Sequence, residues 1–87
     1  MAGVIKLAAL NSLVEVFWED ITSHVNVELR EVKPAPCRSF GVIVKKSDKF
    51  VVIATSIFER EKGEKEIEGD FLAIPTGTIR ECRQIKP

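Results

Sequence analysis

The 87-residue chain carries 13 Lys and Arg against 13 Asp and Glu, a formal net charge of 0, with 45% apolar and 30% charged residues. A chain of this length is one domain with a thin core, burying about 60–65% of the surface its unfolded form exposes, and its composition excludes a disordered, collagen-like or mucin-like polymer. No global field draws it to nucleic acid or anionic membrane, so any nucleic-acid site has to be a local patch.

The opening "MAGVIKLAAL" is apolar but lacks a basic leading segment and is interrupted by Lys6, unlike a signal peptide. No run approaches the ~18 apolar residues of a membrane span, so a soluble, cytoplasmic protein is expected. Residues 1–12 read as an N-terminal extension ahead of a domain covering 13–87. Ile5, Ala8, Ala9, Leu13 and Val16 approximate a helical stripe, and the alanines favour a short helix within residues 4–11.

From Leu13 to Ile21, "LVEVFWEDI" alternates, with Val14, Val16 and Trp18 on one face and Glu15, Phe17 and Glu19 on the other. This predicts a strand with one strongly buried face, Trp18 being its largest core side chain. Residues 22–36 alternate Val25, Val27 and Leu29 before Pro34 and Pro36, which are excluded from a central strand, so a connector with one short element is expected.

"CRSFGVIV" places Phe40, Val42 and Val44 on one side, "KKSDK" supplies a turn, and "FVVIATSIF" is rich in β-branched and aromatic residues. A hairpin follows. Residues 59–69, "EREKGEKEIEG", read as a solvated hairpin tip. The last segment, "DFLAIPTGTIRECRQI", is two short apolar runs broken by Pro75 and Gly77, hence two strands with a tight turn between them. Five short strands with little helix predict an all-β barrel or small sandwich, closed to avoid open edges.

Chemistry-bearing motifs are sparse. Cys37 and Cys82 are too few for a disulfide framework or a metal knuckle and read as reduced, buried thiols. His24, the single histidine, follows Ser23 near Asp20, but neighbours along a chain do not make a triad, and a loop imidazole is expected. There is no phosphate-binding loop, dinucleotide glycine fingerprint, HExxH or calcium loop. These readings predict neither an enzyme nor a cofactor or metal site.

The run Gly41, Val42, Ile43, then Asp48, Lys49, Phe50, Val51, Val52 and Ile53, resembles the first half-motif of the Sm-like family in the form found in bacterial Hfq. "AIPTGTIREC", Ala73 to Cys82, resembles the family's closing strand, turn and strand, with Gly77 at the tight turn. The similarity covers roughly residues 37 to 85, with Leu13 to Ile21 as the first strand, and extends to small phage-encoded proteins with Sm-like folds.

The resemblance implies a five-stranded, strongly bent antiparallel barrel. Its last two strands would pair edge to edge between neighbours and close a homo-oligomeric ring of about five to seven copies, a pentamer to heptamer. Phe71, Leu72, Ile74, Ile79, Cys82 and Ile85 are the residues this places at the subunit interface. It also implies single-stranded RNA at the pore, held by two turns, here Ser47, Asp48, Lys49 and Phe50, and Thr76, Gly77 and Thr78. The chain departs from the family in carrying Val51 where Sm proteins have asparagine, and Thr76 and Gly77 where Hfq has Lys-His. Base-edge hydrogen bonds are then left to Ser47, Thr76, Thr78 or the backbone, which predicts low sequence preference.

Lys45, Lys46 and Lys49 stand against Asp48 in the first turn, so a ring of neutral subunits would present a basic rim. An outward Phe50 would add base stacking worth about 1–3 kcal/mol per base. The expected function is an RNA chaperone or regulatory scaffold; the alternative is a phage-derived interaction or structural module that kept the barrel and lost RNA binding.

Overall fold

The computed structural model describes residues 7–58 and 67–86. Five strands, β1 (Leu13–Asp20), β2 (Ala35–Lys46), β3 (Phe50–Ile57), β4 (Gly69–Pro75) and β5 (Ile79–Gln84), form one antiparallel sheet in the order β4-β3-β2-β1-β5. The all-β, antiparallel class is as expected; closure of the sheet into a barrel is not seen among the described residues. β4 and β5 are its two edges and do not pair with each other among the described residues. A 3₁₀ turn at Thr76–Thr78 carries the chain from one edge to the other.

Residues 7–11 are not helical, so the described part of the proposed N-terminal helix is absent; residues 4–6 lie outside the described set. Tertiary pairing wins over alanine propensity here. The Asn11 N–H donates to the Ile43 carbonyl at 2.7 Å, with Asn11 in the left-handed region at φ 68°. Leu7 and Ala8 pack against the core instead.

That core is formed by Val14, Val16, Ile43, Val51, Ile53, Ile74 and Ile79, drawn from all five strands. On β2 the buried positions are Gly41 and Ile43, while Phe40, Val42 and Val44 share the other, more exposed side. Gly41 is required by contact: a Cβ there would stand 2.6 Å from the Ala54 carbonyl oxygen of β3. Register shifts between Ile43 and Lys45, between Ala54 and Ser56, and between Phe17 and Trp18 bend the strands further.

Pro36 does lie within a strand, a correction to the connector expected over residues 22–36. It pairs with Glu19 of β1, while β3 pairs with β2 only from Val42 to Lys46, so this half of β2 is a local edge that tolerates proline. The connector's one short element is the 3₁₀ turn Leu29–Glu31. Trp18 is half-buried, packs against the core and donates from Nε1 to Ser39 Oγ at 3.0 Å. Cys37 and Cys82 are free thiols, half-buried and not, as expected, fully buried. The expected tip over 59–69 falls largely outside the described residues.

Candidate nucleic-acid interface

The β2–β3 turn is built on Ser47. Its N–H donates to the Phe50 carbonyl at 2.9 Å, and its Oγ accepts from the N–H groups of Lys49 (3.1 Å) and Phe50 (3.2 Å). A short side chain thus satisfies backbone donors that the strands leave behind. Lys45, Lys46, Asp48 and Lys49 are all exposed around it. Phe50 is half-buried, with the Lys45 ammonium 5.6 Å from its ring centre, a cation–π contact. Lys46 Nζ donates to the Ala8 carbonyl at 3.0 Å, which holds the N-terminal segment against the turn.

The second turn lies beside the first. Phe50 pairs with Pro75, and the Thr76 N–H donates to the Lys49 carbonyl at 2.9 Å. Lys49 and Thr76, 27 positions apart along the chain, are therefore joined by a backbone hydrogen bond. Thr78 Oγ1 donates to the Pro75 carbonyl at 2.7 Å, while the buried Thr76 Oγ1 has no partner among the described residues. Gly77 keeps an ordinary backbone, and a Cβ there would meet nothing within 4 Å. It opens a shallow hollow of about 230 Å³, lined also by Glu19, Asp20, Pro34, Thr78 and Arg80.

Of the residues placed at a subunit interface, Phe71 is exposed on edge strand β4, Leu72 and Cys82 are half-buried on β4 and β5, and Ile85 follows β5. The side chains of Ile74 and Ile79 lie in the core of the chain itself. Only their backbones are available at the sheet edges.

A feature the sequence reading missed lies on the opposite face. Glu15, assigned there to the less buried side of β1, is fully buried. Its Oε2 accepts from Arg38 Nε at 3.0 Å and from Arg38 Nη2, and its Oε1 accepts from Arg83 Nη2. The Arg38 hydrogen bond, with the charges of both arginines, holds the carboxyl below its usual range against the upward push of burial. Arg38 also stacks over Phe17 (5.4 Å) and Phe40 (5.6 Å). The only signal in the sequence was a carboxylate inside an apolar run; its partners depend on register with β2 and β5.

His24 is a loop imidazole, its Nε2 within 2.8 Å of Thr22 Oγ1 and 3.3 Å of the Lys33 carbonyl. Among the described residues no cluster of His, Cys, Asp or Glu fits a metal ion, and no helix is long and apolar enough to cross a membrane. Comparison with protein-family models, curated proteins and solved structures finds no match.

Proposed function

We propose that the chain is an Sm-like protein that assembles through its sheet edges into a homo-oligomeric ring and binds single-stranded RNA with low sequence preference. The observation that carries this reading is the Thr76 to Lys49 hydrogen bond, which brings the two turns side by side, next to Phe50 and the Lys45 ammonium over its ring. The strand order supports it as well, because among the described residues β4 and β5 are edges with no second partner, as pairing with neighbours requires. Barrel closure and ring closure belong to this proposal, as does a cytoplasmic site of action with no cofactor and no catalysed reaction.

The test is fluorescence anisotropy with labelled U-rich and A-rich single strands at low and near-physiological salt. The expected result is salt-dependent binding with little difference between sequences; the log–log salt slope is about −0.7 per phosphate neutralised. Replacing Lys45, Lys46 and Lys49 by alanine should weaken binding and flatten that slope. Binding that is absent at both salts overturns the reading.

One observation favours the alternative of an interaction or structural module. Ser47 and Thr78 spend their hydroxyls inside the turns, and the Thr76 hydroxyl is buried, so little is left at this surface to read a base edge.

A further inference from the structure

The outer face of β5, β1 and β2 carries a patch that the turns do not use. Direct pairing puts Leu13 beside Val42, Glu15 beside Phe40 and Arg83, and Phe17 beside Arg38 and Glu81. Paired residues of neighbouring strands share a face. Phe40 is 48% exposed and Leu13 45%, while the Arg38 and Arg83 side chains that cover Glu15 are 60% and 63% exposed. Arg80 joins Glu19 beside them at 2.9 Å.

The patch has half-exposed aromatic and aliphatic groups at its centre and arginines around them, the composition enriched in protein–protein interfaces. Its charges balance, with Arg38, Arg80 and Arg83 against Glu15, Glu19 and Glu81. That balance disfavours a polyanion, which needs a net positive surface. It suits a second copy of the same patch, since a twofold interface must be complementary to itself. The two arginines on the one Glu15 carboxylate leave an excess cation, and exposed Glu81 supplies an anion, for each copy to offer the other. We infer that this face pairs with its counterpart on a second copy of the chain, back to back, independently of any contact made through the β4 and β5 edges.

The experiment is light scattering on the full chain over a range of concentrations. Phe40→Asp replaces the aromatic centre of the patch with a hydrated carboxylate beside Arg38 and should halve the wild-type mass. Phe40→Leu keeps the apolar contact and should leave the mass unchanged. Because Phe40 is half-exposed, both variants should retain the native circular dichroism; if Phe40→Asp does not fold, Leu13→Asp makes the same test from the neighbouring position. A folded charge variant with the wild-type mass overturns the pairing. A folded Phe40→Asp that keeps the wild-type mass but loses RNA affinity overturns it and assigns the face to nucleic acid.

Discussion

At the scale of single residues, Glu15 is where charge and burial conflict most. Arg38 and Arg83 bring the β2 and β5 neighbours of β1 onto one carboxylate, so a one-residue slip of either strand would strand the charge on the wrong face. Since its folded pKa is depressed, its contribution to stability is full above the unfolded value of about 4.3 and is lost as pH falls through the folded value. Urea titrations should show wild-type stability declining in that acid window and Glu15→Gln lacking this component of the decline. Thr76 poses the opposite case, a buried hydroxyl without a partner among the described residues. Thr76→Val should stabilise the fold by about 1 kcal/mol in the same titrations, because an orphan polar group is removed at nearly constant volume. If RNA draws that hydroxyl out on binding, the variant should also lose affinity.

At the scale of elements, the bend of the sheet rests on the close passage of β3 over β2 at Gly41. Gly41→Ala has to push the Ala54 carbonyl aside and should destabilise by about 1–3 kcal/mol, read as a lower urea midpoint with an unchanged slope. The elements themselves were legible in the sequence: the β2–β3 hairpin, the strand after Leu13 and the break at Pro75 to Gly77 each carried period-2 alternation or a turn signal. The faces were less so. Register shifts around Val44 and Thr55 change which residues point inward, and nothing local in "GVIV" says that Ile43 is buried while its neighbours are less so. The two turns were legible as turns, but not their adjacency, which depends on β4 returning along β3 to bring Thr76 beside Lys49. The Glu15 cluster was hidden for the same reason, since its arginines lie 23 and 68 positions away along the chain.

At the scale of the whole molecule, the chain is long and thin. Its radius of gyration is 15.7 Å and its extents are 56 × 29 × 25 Å, whereas a compact chain of this length has a radius near 12 Å. So extended a shape leaves apolar side chains outside, among them Ile21, Leu29, Phe58 and Phe71, and a thin core gains most from association. The sheet offers two geometrically separate ways to associate. Pairing of β4 with β5 of a neighbour is head to tail and builds a ring or an open filament, whereas pairing of the outer face is twofold and only doubles what it finds. A lysine in place of Phe71, on edge strand β4, should block the first mode as charged edges do elsewhere. Light scattering should then give at most a dimer for Phe71→Lys, and a monomer when Phe40→Asp is added. A Phe71→Lys variant that keeps the wild-type mass would rule out assembly through the β4 edge, and with it the ring.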